Sequence, residues 1–253
     1  MDIVHIMQEL GVERINSFKE IEGGRDSLVF KIETEQGQLY ALRILPKNRL
    51  QQFKREAQIL QFVYHYGIPA PSVHAITCVY NYAVMLMEWV SGCTVFEELT
   101  TRPENAKKTG YAFGKTQATI HQIQATKYQF GDWISPDTKE EKDIYEKIIR
   151  ENSENKRGLL HLDYHPLNVH TDGENITGVF DWVNASYGDC RLDLARTLSI
   201  LKVEGVRFIN PSTVKEFEQA WRSGYEREGE RIHDLGLYYK WAELKMKNEI
   251  IDR

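Results

Sequence analysis

The sequence is poor in the features that mark secreted, zinc-binding and nucleic-acid-binding proteins. It has three cysteines in 253 residues, Cys78, Cys93 and Cys190, and no two of them form a Cys-x-x-Cys pair. This odd, scattered set argues against a disulfide framework and against a zinc site, and it fits a reducing, cytoplasmic setting. The chain also lacks a run of Lys and Arg, and its net charge is −5. We therefore expect no nucleic-acid partner.

Long apolar stretches are missing as well. No run approaches the roughly 20 apolar residues that a membrane-spanning helix needs. Residues 1–15 are amphipathic and carry acidic side chains, without the basic start and long apolar core of a signal peptide. Repeats and low-complexity segments are absent too. With 42% hydrophobic and 27% charged residues, the sequence predicts an ordinary globular protein with no membrane partner.

Residues 1–90 show the pattern of a small, mostly antiparallel sheet with one helix packed on it. Strand-like segments occur at residues 18–22, 28–32, 38–45, 73–80 and 82–89. Helical stripes cover residues 3–10 and 49–66, and the breaker segment 67–71 ends the second of them. Ser91-Gly92 then marks a candidate boundary. We predict that residues 1–90 form a first lobe.

Two features of this lobe could bind an anion. Gly23 and Gly24 lie between strands, where bare backbone N–H groups could approach phosphate oxygens, although a plain hairpin turn is the simpler interpretation. Arg43 shares a strand face with apolar side chains, and a cation in such surroundings needs an anionic partner. Glu56, at the edge of the long helical stripe, could pair with it. Taken alone, Glu56 is more simply interpreted as a surface carboxylate.

Residues 91–253 are predicted to form a second, mainly helical lobe. Helical stripes cover residues 105–124, 139–154, 214–225 and 234–250. His121 in the first stripe is more simply a packed, hydrogen-bonded histidine than a catalytic one. Acidic residues between 226 and 234 form a patch that is most simply solvated surface, and that could also attract a cationic substrate.

The most informative stretch runs from Leu159 to Arg196. Asn168 and Asp181 flank a predicted β-hairpin with strands at 169–170 and 176–180, and the turn between them contains Asp-Gly, which tolerates positive φ. Folding about the centre of this turn places Asn168 roughly opposite Asp181. One divalent ion could therefore touch both side chains, with Asp163 a short distance upstream.

Three interpretations of His161-x-Asp163-x-His165 compete. A metal-hydrolase cluster would use imidazole and carboxylate ligands, but it lacks the further histidines that such sites need. A structural loop would use these polar residues to satisfy its own backbone. In a phosphoryl-transfer site, Asp163 accepts or orients the proton of an attacking hydroxyl, while Asn168 and Asp181 hold Mg²⁺ on nucleotide phosphates. The spacing of the oxygen-bearing residues favours phosphoryl transfer.

The segment HLDYHPLNV, followed by VFDW and then by GDCRLDLAR, closely resembles the aminoglycoside phosphotransferase/choline kinase family. Three linked motifs in the right order make a specific signal. The resemblance spans essentially the whole chain and is strongest at residues 159–196. It implies an α+β, bilobal protein-kinase-like fold with a small antiparallel-sheet N-lobe at 1–90 and a mainly helical C-lobe at 91–253.

The resemblance also implies roles for single residues of the central stretch. By position in the motifs, Asp163 is similar to the family's catalytic base. Asn168 and Asp181 match its Mg²⁺ ligands. Asp193 matches the aspartate that braces the catalytic loop through hydrogen bonds to its backbone, and His161 is expected to brace the loop in a similar way.

In the N-lobe the resemblance assigns the nucleotide contacts, with one departure. Glu88–Val90 is similar to the adenine-binding connector, and the backbone of the loop Gly23-Gly24-Arg25-Asp26-Ser27, with the Ser27 hydroxyl, is expected to contact phosphate. Arg43 stands where the family usually has a phosphate-binding Lys. Arg keeps the charge and can grip phosphate with two bonds, but its planar head is not a simple replacement. Glu56 is its expected partner.

The expected activity is ATP- and Mg²⁺-dependent transfer of the γ-phosphate to a hydroxyl of a small molecule. The acceptor stays open among an aminoglycoside, choline, thiamine, homoserine, a methylthio-sugar and a sugar-amine. The alternative is a degenerate kinase-fold protein that binds nucleotide as a regulatory module. Arg43 motivates this alternative, whereas the joint presence of Asp163, Asn168 and Asp181 argues against it.

Overall fold

The structure is a computed structural model that describes residues 1–21, 27–126, 128, 130–151, 157–229 and 231–251. The chain divides into two compact units, Met1–Ser91 and Gly92–Arg253. Each unit has its own core and is described separately below.

The first unit consists of a five-stranded antiparallel sheet and two helices. Its strands are β1 (Ile15–Ile21), β2 (Leu28–Thr34), β3 (Leu39–Pro46), β4 (Val73–Val79) and β5 (Tyr82–Glu88), and its helices are α1 (Ile3–Glu9) and α2 (Leu50–His65). The strand order is β1-β2-β3-β5-β4, so β3 lies in the middle of the sheet. A residue in the centre of β3 is therefore flanked by strands on both sides.

Side chains of β3 alternate between two covered faces of this sheet. On one face Leu42 and Ile44 join a core cluster with Ile6 and Met7 of α1. The opposite face carries Ala41, Arg43 and Leu45 and meets α2, where apolar side chains recur at helical spacing: Phe53, Ile59, Leu60 and Val63 are buried. Arg43 thus lies on the α2 side of a strand that is buried on both faces.

The second unit is mainly helical. Its helices are α3 (Val95–Thr101), α4 (Ala106–Gln122), α5 (Lys139–Glu151), α6 (Cys190–Ile200), α7 (Val206–Phe208), α8 (Pro211–Glu228) and α9 (Gly236–Ile251), with a π-helical segment at Leu201–Gly205. Its short strands are β6 (Cys93–Thr94), β7 (Arg157–Leu160), β8 (Val169–Thr171), β9 (Ile176–Val179) and β10 (Ser186–Asp189). β10 pairs with β7, and β6, β8 and β9 form a three-stranded sheet.

Helices α4 and α8 approach so closely that glycine is required between them. A Cβ atom on Gly114 of α4 would lie 2.0 Å from the Trp221 carbonyl oxygen of α8. A Cβ atom on Gly224 of α8 would lie 2.1 Å from the Tyr111 carbonyl oxygen of α4. The backbones of α4 and α8 are therefore in direct contact at these two glycines, which fixes the position of α4 against α8.

Helix α6 is buried along nearly its whole length, which fits its apolar composition. Among its buried residues are Leu192, Leu194, Ala195 and Leu198, and also the charged Asp193 and Arg196. Buried charges need partners. Both Asp193 and Arg196 have partners in the loop between β7 and β8, and Asp193 also contacts α4.

The predicted fold class, α+β with an antiparallel-sheet N-terminal part and a mainly helical C-terminal part, is confirmed. Strands β6, β7 and β10 and helices α3, α6 and α7 were not predicted from the sequence. The strands and α7 are only two to four residues long, too short to show a periodic pattern. Helix α6 is buried nearly all round and therefore lacks a one-sided apolar stripe. Within the described residues, no helix is both long and apolar enough to cross a bilayer.

Candidate active site

The loop that follows β7 carries Asp163 at a strained turn. Leu162, just before it, is fully buried and has a φ of 63°. This left-handed conformation is uncommon for a residue other than glycine and costs on the order of 1–3 kcal/mol. Surrounding contacts must therefore hold the loop in shape.

The Asp193 carboxylate of α6 supplies part of that support. It accepts hydrogen bonds from the backbone N–H groups of Leu162, at 2.5 Å, and His161, at 3.3 Å. It also accepts one from the His121 imidazole at 2.8 Å. Burial alone would raise the pKa of Asp193, but the His121 hydrogen bond and charge hold it below the usual value. An ionised Asp193 thus anchors the loop backbone.

His161 fastens the loop to the end of β9. Its Nε2 lies 2.9 Å from the Phe180 carbonyl oxygen, and its Nδ1 accepts a 3.3 Å hydrogen bond from the Asp163 N–H group. The ring is fully buried, and burial lowers its pKa. Both nitrogens of the neutral ring are engaged with backbone, which excludes the metal-hydrolase interpretation of His161-x-Asp163-x-His165.

The Asp163 carboxylate has polar partners on several sides and still reaches solvent. Asn168 Nδ2 donates to its Oδ2 at 3.0 Å, His165 Nε2 lies 3.5 Å from Oδ2, and Arg196 Nη2 lies 3.8 Å from Oδ1. Burial opposes ionisation, but His165 and Arg196 outweigh it, so the pKa of Asp163 lies well below its usual range. About 26% of the side chain remains exposed, so a ligand hydroxyl could reach this ionised carboxylate.

Asn168 and Asp181 lie at the same end of the β8–β9 hairpin. The observed register pairs Val169 with Val179, and the Phe180 N–H group donates to the Asn168 carbonyl at 2.9 Å. Phe180, and not Asp181 as predicted, is therefore opposite Asn168, because the hairpin is centred one half-residue earlier than the sequence suggested. Asp181 follows with a φ of 59°, a left-handed conformation that aspartate tolerates better than most residues.

The side chains at this hairpin end are compatible with a magnesium ion. Asn168 Nδ2 donates to both the carbonyl and the carboxylate of Asp163, which leaves Oδ1 available as a metal ligand. Asp181 adds carboxylate oxygens, and hard oxygen donors suit Mg²⁺. Across the described residues, no group of three or more His, Cys, Asp and Glu could hold a metal ion by itself. A two-ligand site fits an ion that nucleotide phosphates help to coordinate.

In the first unit, Arg43 and Glu56 form a buried ion pair. Arg43 Nη1 donates to Glu56 Oε1, and Glu56 is only 2% exposed. Arg43 Nε lies 3.4 Å from the Ser27 hydroxyl, and its guanidinium lies over the Phe53 ring at 5.4 Å. The surface-carboxylate interpretation of Glu56 is therefore wrong, and the structure brings Ser27, Arg43 and Glu56 together.

The other predicted nucleotide-binding residues lie either at or just after the end of β5, or outside the described residues. Gly23 and Gly24 lie outside the described residues. Glu88 ends β5, where its N–H group donates to the Ser72 carbonyl at 2.8 Å. Val90 follows two residues later, next to the boundary of the unit at Ser91.

Three residues that contact this site were not assigned to it from the sequence. His121 and Arg196 come from helices, and His165 comes from the loop itself. The sequence does contain a hint that Arg196 belongs to the site. It lies among apolar residues of α6, three residues or about one helical turn after Asp193. His121 gave no such signal, since its distance from Asp193 in the sequence is 72 residues.

The described carboxylates of the predicted acidic patch contact other residues of the same chain. Glu226 Oε1 accepts a hydrogen bond from the Ile232 N–H group at 3.0 Å, and Glu228 pairs with Lys115 at 3.8 Å. Asp234 contacts His233 at 2.9 Å, and Glu230 lies outside the described residues. These contacts favour the interpretation of the patch as ordinary surface.

Comparisons with known proteins agree with this geometry. Residues 17–152 and 147–231 match the profile of the phosphotransferase enzyme family. No curated protein sequence matches the chain. Among solved structures, an aminoglycoside-3′-phosphotransferase of type VIII is 17% identical with a TM-score of 0.65, over 96% of this chain and 98% of that one.

Two further solved structures are similar over the whole chain. An amicoumacin kinase in complex with AMP-PNP, Ca²⁺ and Ami is 15% identical with a TM-score of 0.68, over 100% of this chain and 86% of that one. A mutant of aminoglycoside phosphotransferase APH(4)-Ia, in a ternary complex with ADP and hygromycin B, is 14% identical with a TM-score of 0.65, over 100% and 94%.

The fold is thus the kinase-like α+β fold of these phosphotransferases. The chain belongs to the phosphotransferase enzyme family, which confirms the resemblance seen in the three sequence motifs.

Proposed function

We propose that the protein transfers the γ-phosphate of ATP to a hydroxyl group of a small molecule. The observation that carries the proposal is the Asp163 carboxylate, which is ionised, 26% exposed and hydrogen-bonded to Asn168. An exposed carboxylate in this position suits a proton acceptor. Supporting it, relatives of the same fold bind AMP-PNP or ADP together with small molecules.

In the proposed reaction, the acceptor hydroxyl hydrogen-bonds to Asp163. Its oxygen forms a bond to the γ-phosphorus, the bond between that phosphorus and the β–γ bridging oxygen breaks, and ADP leaves. The hydroxyl proton passes to the Asp163 carboxylate. Asp193 and His161 act indirectly, by holding the loop backbone around Asp163.

Asn168 and Asp181 are the proposed Mg²⁺ ligands. A bound Mg²⁺ would neutralise charge on the nucleotide phosphates. For the nucleotide itself, we assign Arg43, with its partners Glu56 and Ser27, to the phosphates, and the backbone of Gly23 and Gly24 to the same role. The backbone of Glu88 and Val90 is assigned to the adenine.

The first test compares wild type with Asp163→Asn in a Mg²⁺-dependent ADP-release assay across a panel of hydroxyl compounds. The panel should contain aminoglycosides, choline, thiamine, homoserine and sugars. We expect Asp163→Asn to lower kcat by about 10²–10⁴-fold, the usual contribution of a general base. Glu216→Gln, an exposed carboxylate change on α8, is the matched control and should leave kcat unchanged.

A degenerate kinase that only binds nucleotide is the second candidate. The replacement of the usual Lys by Arg43 motivates it. Nucleotide binding to wild type, with equal background rates for wild type and Asp163→Asn on every acceptor, would establish this candidate and reject the enzyme.

A further inference from the structure

Arg196 contacts the candidate catalytic loop at two points from inside the core. Its side chain is 2% exposed, and α6 holds it among apolar neighbours. Nε donates to the Leu162 carbonyl at 3.2 Å, and Nη2 lies 3.8 Å from Asp163 Oδ1. One guanidinium thus reaches both the residue with the left-handed backbone and the carboxylate next to it.

These contacts complement those of Asp193. Asp193 accepts from the N–H group of Leu162, and Arg196 donates to the carbonyl of the same residue. Leu162 is therefore held at both of its peptide groups by two residues one turn apart on α6. With the loop backbone held in this way, the orientation of the Asp163 carboxylate depends on its side-chain partners. Asn168 and His165 contact Oδ2, and Arg196 faces Oδ1.

The guanidinium of Arg196 has a support of its own. Its central carbon lies 5.0 Å from the centre of the Trp133 ring, a distance typical of a cation–π contact. The Lys245 ammonium lies 5.3 Å from the centre of the same ring. Trp133 also packs edge-on against Trp241 at 5.9 Å. The ring is thereby fixed by groups from α6 and α9.

Lys245 is anchored more firmly than a surface lysine. It is 4% exposed and donates to the Ser135 carbonyl and to Asp137 Oδ2, each at 2.7 Å, and it lies 3.2 Å from the buried Glu141 of α5. A chain of contacts therefore runs from α5 and α9 through Lys245, Trp133 and Arg196 to Asp163.

We propose that Arg196 is a positioning residue for the Asp163 carboxylate, and that Trp133, anchored through Lys245, fixes the Arg196 guanidinium. The catalytic consequence rests on the proposed function, whereas the placement of Asp163 does not. Arg196 touches neither nucleotide nor acceptor in this scheme and acts only through Asp163.

The activity test separates a positioning role from a role in folding. We expect Arg196→Gln to lower kcat of Mg²⁺-dependent ATP turnover by about 10–100-fold, the range for a displaced catalytic group, with KM for ATP changed less than about twofold. Arg196→Lys, which keeps the charge, should recover part of the loss. Trp133→Leu should lower kcat by about tenfold, and Trp133→Phe, which keeps an aromatic face, should restore it.

The matched control is Arg157→Gln. Arg157 also lies over an aromatic ring, that of Tyr187 at 5.2 Å, but it is exposed. Its kcat and KM should equal those of wild type. Variants whose kcat falls only in proportion to the folded fraction, measured by circular dichroism at the assay temperature, would reduce Arg196 to a structural role and overturn the proposal.

Crystal structures of the unliganded variants give a readout that does not depend on turnover. The Asp163 carboxylate should shift or become disordered in Arg196→Gln and Trp133→Leu, and should stay in place in Trp133→Phe and Arg157→Gln. If wild type turns over no ATP with any acceptor, the proposed function fails, and this comparison still decides the inference. An unmoved Asp163 carboxylate in Arg196→Gln overturns it.

Discussion

Asp193 shows how much a single buried carboxylate can organise. Besides the two backbone N–H groups of the loop, it accepts hydrogen bonds from His121 at 2.8 Å and Gln117 at 3.3 Å. Trp221 Nε1 in turn donates to Gln117 Oε1 at 2.8 Å. Removing one member of such a network leaves buried groups without partners, which costs more than a typical hydrogen bond contributes.

His121 makes the stability of this network depend on pH. Burial opposes its charge, but Tyr225, whose hydroxyl lies 2.8 Å from Nδ1, favours it together with Cys190 and Asp193, and the pKa of His121 is raised well above the usual value. The Cys190 thiol of α6 donates to the His121 backbone carbonyl at 3.8 Å. A raised pKa in the folded state stabilises the protein fully below the unfolded-state pKa of about 6.5, and this stabilisation is lost as pH rises through the folded-state pKa.

We therefore predict that wild type loses stability between pH 6.5 and pH 9.5 more steeply than His121→Gln does. The measurement is the urea midpoint of both proteins across this range, with the slope m checked for constancy. Groups common to both proteins cancel in the difference. Parallel loss in the two proteins would show that His121 does not carry a charge in the folded state.

Arg43 yields a second prediction at the residue scale. Arg43→Ala should weaken binding of AMP-PNP with Mg²⁺ by about tenfold or more, the size of a lost charge-assisted hydrogen bond, whereas Arg43→Lys should retain or improve it. Isothermal titration calorimetry measures both. Because Glu56 is buried, Arg43→Ala should also cost roughly 3–5 kcal/mol of stability.

The stability loss could by itself lower the measured affinity, so a double variant is needed. Arg43→Ala with Glu56→Gln removes the unpaired buried charge and should regain much of the stability. Weak nucleotide binding that persists in this double variant would assign Arg43 to the phosphates. Affinity equal to that of wild type would remove Arg43 from the nucleotide site.

At the scale of elements, the contact between α4 and α8 leaves no room for a side chain larger than glycine at Gly114. Gly114→Ala would place a methyl group 2.0 Å from a backbone oxygen that no rotamer change can move. We expect a loss of about 3 kcal/mol in the free energy of unfolding, at the upper end for overpacking, because one helix must shift. Urea denaturation measures it.

The control for this prediction is Gly236→Ala at the start of α9. A Cβ atom there meets nothing within 4 Å, and φ is not in the left-handed region. Its stability should stay within about 0.5 kcal/mol of wild type. Equal losses in the two variants would contradict close packing of α4 on α8 as the cause.

In the β8–β9 hairpin the sequence predicted the turn correctly but not the strand register. The Asp-Gly turn was predicted, and Gly173 does adopt a positive φ of 96°. The register was off by one residue at Asn168, because the turn is centred earlier than the sequence suggested, and the irregularity between His170 and Thr171 offsets only part of this difference. Strand patterns determine which face a residue lies on, whereas bulges depend on the contacts of the folded sheet.

At the scale of the whole molecule, the chain separates into two units with different predictability. In Met1–Ser91 the strands and α2 were predicted within a few residues of their bounds, since alternation and helical stripes repeat along each element. In Gly92–Arg253 the long helices α4, α8 and α9 were also predicted. Strands β6, β7 and β10 were missed, because two to four residues carry no period, and α6 was missed because it is buried nearly all round and shows no one-sided stripe.

The sequence by itself determined the family and the candidate chemical groups. Asp163, Asn168 and Asp181 stand at fixed spacings within one stretch, and local spacing survives any arrangement of the rest of the chain. The antiparallel sheet followed by helices was likewise encoded in periodicities of two and 3.6 residues.

Only the tertiary structure decided which distant residues come together within each unit. It buries Glu56 against Arg43, brings His121 to Asp193 across 72 residues, and connects Asp163 to Lys245 through Arg196 and Trp133. None of these pairs shares a local pattern. They form because the helices and strands of each unit pack in one arrangement, and a buried charge in that arrangement is stable only with a partner.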